Sequence, residues 1–222
     1  MKENIKIAIF DFCGTFINFQ TADEYASTFL DNKKIDEINK RMEFYNKTRI
    51  SLICSLFNHP LKKHFLARAL KGIKKDVINS KTNEFITDRL LTNINPLVSN
   101  LFNKLRAGGY FIILVSAAYD IYLSKFNNYY HFDKIISTEL EIKNGCFTGR
   151  IKHDCVGKKK VKYLKKYLNK KIGKDNYDII YSIGDSKSDT QILDLATYPL
   201  VVAKEKQKWF KRSYQTIYEF QR

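Results

Sequence analysis

The chain has 222 residues with 39 Lys+Arg against 23 Asp+Glu, a formal charge of +16, and is 44% hydrophobic and 14% aromatic. This composition excludes a disordered or fibrous protein, and a chain of this length buries roughly 70% of its unfolded surface without a disulfide or metal staple. No run approaches the ~18 apolar residues of a membrane span, and the start is too short for a signal peptide before Asp11 is reached. Cys13, Cys54, Cys146 and Cys155 lack CxxC spacing, which suits reduced thiols and a cytoplasmic location. Cys146, His153 and Cys155 have no fourth partner at a common zinc spacing. Of the 39 basic residues 31 are Lys, which lacks the planar fork used to read bases, so no specific nucleic-acid partner is expected. A solvated lysine surface is the plain reading of the charge, and attraction to an anionic ligand is the sharper one.

In chain order, residues 5–10 (Ile-Lys-Ile-Ala-Ile-Phe) form a short apolar run that ends in Asp11-Phe12-Cys13-Gly14-Thr15, the pattern of a buried strand and a glycine turn. Residues 20–92 carry no convincing strand. Amphipathic helical stretches cover 22–30, 35–57, 61–70 and 82–91, broken at Asn58-His59-Pro60 and Lys71-Gly72. From Asn95-Pro96 onward, strand patterns at 110–115, 134–136, 178–183 and 200–202 alternate with helical patterns at 97–107, 119–129, 161–168 and 190–196. Residues 139–142 and 146–151 flank Asn144-Gly145 as a β-hairpin would. The basic and aromatic piece 204–222 reads as a final helix packed on the sheet, with a membrane-surface contact as its alternative. The pattern predicts an α/β protein: a Rossmann-like three-layer parallel-sheet core from residues 1–19 and 93–222, with a helical cap at 20–92 and a small hairpin.

In parallel sheets, ligands bind at the carboxyl ends of the strands. Asp11, Ser116 and Asp185 each close a predicted strand and should converge on one crevice. Asp11 reads either as a turn-capping residue or as a nucleophilic carboxylate. Asp185 and Asp189, in Gly184-Asp185-Ser186-Lys187-Ser188-Asp189, read either as helix N-terminal acids or as oxygen ligands for Mg2+. Ser116 offers a hydroxyl and an amide. The run Lys158-Lys159-Lys160 is a solvated face unless one lysine turns inward to neutralise an anion.

Taken together, these segments resemble the four motifs of the haloacid dehalogenase superfamily, in order: Asp11-Phe12-Cys13-Gly14-Thr15, then Val115-Ser116-Ala117, then Lys160, then Gly184-Asp185-Ser186 with Asp189. The helical segment between the first two motifs resembles the phosphoserine-phosphatase-like branch. The resemblance implies phosphoryl transfer from a small phosphorylated substrate through an aspartyl-phosphate on Asp11, with Mg2+ as cofactor. It implies metal ligation by Asp11, the carbonyl of Cys13, Asp185 and Asp189, and phosphate contacts from Gly14, Thr15, Ser116, Ala117 and Lys160. Gln20, Thr21, Asp23, Arg41 and Arg49 are cap candidates for substrate recognition. The chain departs from the family at Cys13, where its phosphatases carry an Asp that serves as general acid and base, help worth ~10²–10⁴-fold. Three readings follow: a hydrolase whose substrate has a good leaving group, a relative with altered chemistry such as the phosphonate-acting branches that also lack this Asp, and a catalytically weak phosphate-binding or interaction protein.

Overall fold

The computed structural model describes residues 3–46 and 61–220. A seven-stranded sheet runs through it in the order β4-β3-β2-β1-β5-β6-β7. Strand β1 (Ile5–Phe10) lies at the centre, parallel to β2 (Phe111–Tyr119) on one side and to β5 (Tyr177–Gly184) on the other. Beyond β5 come β6 (Tyr198–Val201) and the short β7 (Gln215–Thr216), both parallel. Ile7, Ala8, Ile9 and Phe10 are all fully buried, so both faces of β1 are covered. That is why it reads in sequence as an unbroken apolar run.

One face packs on α7 (Lys158–Lys171), whose Leu164 and Leu168 meet Ile7, Ile9, Ile113 and Val115. The other packs on α5 (Pro96–Ala107) and α6 (Asp120–Tyr130). Helix α5 starts where the sequence signals it: the Asn95 side chain accepts from the Leu97 amide at 3.1 Å, and Pro96 occupies the first turn. Under it, Phe10, Phe16, Phe102 and Phe132 pack edge to face, with Phe16 and Phe102 centroids 5.7 Å apart. Phe12 joins them through Phe126 at 5.2 Å, so the loop after β1 is anchored by aromatic rings on both sides of Gly14.

Between β1 and α5 the described residues hold helices and only isolated bridges: α1 (Thr21–Ser27), α2 (Asn32–Asn46), α3 (Leu61–Ala69) and α4 (Lys75–Phe85). Residues 47–57 of the long predicted helix lie outside the described residues. The helix expected at 82–91 is different: α4 begins at Lys75 and passes at Ile86–Leu90 into a single π-helical turn. Its start is set by the hairpin, since the Lys75 amide donates to the Gly145 carbonyl at 2.7 Å and the Gly72 amide to Phe147 at 2.9 Å. Tertiary pairing, rather than local periodicity, placed that boundary.

The strand at 134–136 and the first hairpin arm are one element, β3 (Lys134–Lys143). Its first half pairs parallel with β2 and its second half antiparallel with β4 (Cys146–His153). Ser137-Thr138 contains no Gly, Pro, Asn or Asp to break it. Strand β2 also outruns its predicted end at residue 115 and continues to Tyr119. Val115 opposes Ile136 and Tyr119 opposes Thr138, so residues 116–118 bulge against a single residue of β3. The final segment forms β7 and one helical turn, Ile217–Phe220, instead of a longer helix over 204–222, while Trp209 and Phe210 pack on Leu193, Val201 and Tyr214. No helix among the described residues is long and apolar enough to cross a membrane.

Candidate active site

Asp11 follows β1, the 116–118 bulge lies on β2, and Asp185 follows β5, so the three sit at the carboxyl ends of three adjacent strands. They open on one cleft of about 380 Å³, lined also by Cys13, Lys160, Asp189 and residues of α1 and α3. The carboxylates of Asp11, Asp185 and Asp189 each offer an oxygen within 4.8 Å of the others.

Lys160 stands between two of them. Its Nζ donates to Asp11 Oδ1 and to Asp189 Oδ1, each at 2.7 Å, and all three side chains are buried. It reaches the cleft from the first turn of α7, which starts at Gly157 with φ +51. Lys158 and Lys159 begin the helix rather than precede it, and both face solvent. Only Lys160 of that run turns inward.

Both oxygens of Asp189 are engaged. Oδ1 accepts from Lys160, and Oδ2 accepts the Ser186 hydroxyl at 2.7 Å and the Ser186 amide at 3.2 Å. Asp185 accepts the Thr15 hydroxyl at 3.1 Å. Gly14 has φ +73, and a Cβ there would lie 2.3 Å from Asp185 Oδ2. Gly14 and Thr15 therefore stand behind Asp185, one by making room for its carboxylate and the other by holding it.

Burial, and then the neighbouring Asp189, push the Asp185 carboxyl up to about 6. Burial pushes Asp11 up as well, with Lys160 opposing. A buried acid and a half-buried one, both with ionisation suppressed by desolvation and by neighbouring carboxylates, form a site that is short of positive charge. Lys160 supplies part of it, and its ammonium is held above the ordinary lysine range by Asp11 and Asp189 against the effect of burial.

Cys13 lines the cleft with its Sγ 3.0 Å from Thr21 Oγ1, which lies 2.7 Å from the Tyr122 hydroxyl. Burial and the Asp11 carboxylate push the thiol up to about 11, so it stays protonated at neutral pH. Ser116 is buried at the base of the cleft, its hydroxyl accepting from the Ala118 amide at 3.2 Å. Of the recognition candidates, Gln20 and Asp23 line the cleft, while Thr21 is buried against Cys13. Arg41 borders a separate groove with Phe44 and Phe65. Arg49 lies outside the described residues. Cys155 is buried with its thiol toward the Ile136 carbonyl, and His153 pairs with Glu139 at 2.7 Å.

Sequence reasoning passed over Lys62 and Lys63, which line the cleft from α3. Lys62 pairs with Asp23 at 2.8 Å. Lys63 is buried on the same stripe as Leu66, Ala67 and Leu70. A lysine at the first position of an i, i+3, i+4, i+7 apolar stripe was the available signal. Its ion pair with Asp154 had none, because the two are 91 residues apart.

A family model for haloacid dehalogenase-like hydrolases matches residues 8–194. The phosphoserine phosphatase of Idiomarina loihiensis is 24% identical over 156 residues, 70% of this chain and 63% of that protein. The chain spans between half and two-thirds of the length of the curated relatives it matches. A protein of unknown function from Bordetella pertussis Tohama I superposes with a TM-score of 0.72 at 19% identity, covering 89% of this chain and 90% of its own. A phosphoserine phosphatase solved as a phospho-aspartyl intermediate analogue gives 0.60 at 19% identity, covering 90% and 87%. At such identities the likeness is one of fold. The family match runs from β1 to the turn of helix beyond Asp189 and takes in all four motif segments, and the chain belongs to the haloacid dehalogenase-like hydrolases, with the fold of their phosphoserine-phosphatase-like branch.

Proposed function

We propose that the protein is a Mg2+-dependent phosphatase or phosphotransferase acting on a small phosphorylated metabolite, with Asp11 as the group that accepts the phosphoryl. The observation that carries this reading is the buried Asp11 carboxylate, held by Lys160 at the end of the central strand and open to the cleft. Residues 20–92 act as a cap over a core formed by 1–19 and 93–222, with α1 and α3 forming the substrate-facing wall. Gln20, Asp23 and Lys62 on that wall would meet the part of the substrate that differs between metabolites.

The donor set fits magnesium. Asp11 and Asp185 offer hard oxygen ligands, Cys13 has a main-chain carbonyl, and the acids lack compensating charge. Asp189, with both oxygens engaged, holds Lys160 and orients the loop that carries Asp185. Bound Mg2+ would screen the negative charge between Asp11 and the phosphoryl oxygens.

Asp11 attacks phosphorus, and the bond to the leaving oxygen breaks with its electron pair. Lys160 and the Ser116 hydroxyl hold the transferring oxygens and offset their charge. Water then attacks the phosphorus and frees Asp11. The Cys13 thiol, protonated and weakly acidic, gives little proton help in either step. That favours substrates whose leaving group departs as an anion. It also supports a second reading, a slow enzyme that serves mainly as a phosphate-binding protein.

A phosphate-release screen over many phosphoesters and acyl phosphates with Mg2+, run beside Asp11→Asn, tests the proposal. Release that disappears in Asp11→Asn is the expected result. A wild-type protein that releases nothing and does not bind beryllofluoride overturns it.

A further inference from the structure

Lys63 is attached at both ends to the same short piece of β2. Its ammonium donates to the Asp154 carboxylate, to the Thr138 hydroxyl at 2.9 Å and to the Ala117 carbonyl at 3.3 Å. Its own carbonyl accepts the Tyr119 hydroxyl at 3.0 Å. Residues 117 and 119 belong to the bulged end of β2, where three residues face one on β3. A half-buried carbonyl that a bulge takes out of register with the neighbouring strand needs another donor. For Ala117 that donor is Lys63.

The three N–H groups of Lys63 meet three acceptors, so the ammonium has no proton left to aim at a ligand in the cleft. Nor does a buried ion pair add much stability, because desolvation offsets its Coulomb attraction. What it does is geometric. It fixes a carbonyl next to Ser116, and it couples that carbonyl to α3, which carries part of the cleft wall.

We propose that Lys63 is a positioning residue: through the Ala117 carbonyl it sets the shape of the 116–118 bulge, and with it where the Ser116 hydroxyl meets a phosphoryl group. Asp154 and Thr138 hold the ammonium in place. The step from bulge to phosphoryl group rests on the function proposed above, whereas the step from Lys63 to bulge does not.

The test compares Lys63→Met with Lys63→Met/Asp154→Leu. The single variant should unfold at a lower temperature because it takes the lysine from a largely buried Asp154 and leaves His64, 3.7 Å away, as its remaining basic partner, and the double variant should recover most of that loss. In the double variant the amides of 116–118 should exchange hydrogen faster than in wild type. With para-nitrophenyl phosphate its kcat should fall roughly 10- to 100-fold while KM changes little, as expected for a displaced transition-state contact. A double variant with wild-type exchange and wild-type kcat overturns the proposal and leaves the pair merely structural. If wild type neither hydrolyses para-nitrophenyl phosphate nor binds beryllofluoride, the phosphate reading falls, and the exchange measurement still decides whether Lys63 shapes the bulge. Should neither variant fold, Thr138→Val removes one acceptor while keeping the charges paired and is read in the same ways.

Discussion

Lys160 and Asp11 are 149 residues apart in the chain and 2.7 Å apart in the fold, and both are buried. The contact joins the first turn of α7 to the end of β1. Around it lie two further acids, Asp189 on the same ammonium and Asp185 across the cleft. One cation among three carboxylates leaves a negative excess, and the behaviour of the site follows from that imbalance.

Removing Lys160 exposes it. Lys160→Met leaves Asp11 and Asp189 buried without their shared cation, and truncating one partner of such a pair costs about 3–5 kcal/mol. The expected outcome is a large fall in the thermal midpoint without metal, partly reversed by Mg2+, with phosphate release reduced by about 10²-fold or more. Thermal unfolding with and without Mg2+ checks it; a midpoint equal to that of wild type would show that the contact carries no such weight.

The same imbalance sets a pH dependence. Folding raises the Asp185 carboxyl to about 6 and moves Asp11 in the same direction, from roughly 3.9 in the unfolded chain. Between those values the folded state binds more protons than the unfolded one, so stability falls as pH rises through this window. Metal-free protein should therefore melt higher at pH 5 than at pH 8. Mg2+ needs the ionised carboxylates, so its stabilisation should be small at pH 5 and grow above about pH 6. Melting curves at both pH values, with EDTA or Mg2+, measure the crossing of the two trends.

Gly14→Ala should damage the metal site and spare the fold. The position has φ +73, and an added Cβ would lie 2.3 Å from Asp185 Oδ2. The backbone strain is about 1–2 kcal/mol, and Asp185 must move away. We expect far-UV circular dichroism like wild type, with the Mg2+-dependent rise in melting temperature lost. A full Mg2+ response in Gly14→Ala would show that Asp185 is not a ligand.

At Cys13 the leaving group is the probe. With its thiol held up to about 11, Cys13 should react slowly with iodoacetamide at pH 8 in the folded protein and quickly in urea. Cys13→Asp supplies a carboxyl in its place and should raise release from an alkyl phosphate by ~10²–10⁴-fold, with a much smaller gain on an acyl phosphate. Equal gains on both substrates would mean that protonation of the leaving group is not what the thiol lacks.

Much of this fold was legible because buried parallel strands carry apolar residues on both faces, so β1, β2 and β5 appear as runs with a polar residue at the end. Asn95-Pro96 announced α5, and Asn144-Gly145 announced the hairpin. Element limits that depend on partners were not legible. Residues 117–119 became strand because β3 lies beside them, and α4 starts at Lys75 because the hairpin turn receives its amide.

The sequence by itself determined the element types, the order of the four motif segments and the residue kinds available at each strand end, since these depend on local periodicity and turn chemistry. Only the tertiary structure decided which of those residues touch. It turned Lys160 inward and left Lys158 and Lys159 in solvent, set Thr15 and Gly14 behind Asp185, and tied Cys13 to Thr21. It also placed a buried lysine from α3 against the bulge beside Ser116. Contacts between residues a hundred positions apart arise from how the layers pack, and no local pattern records them.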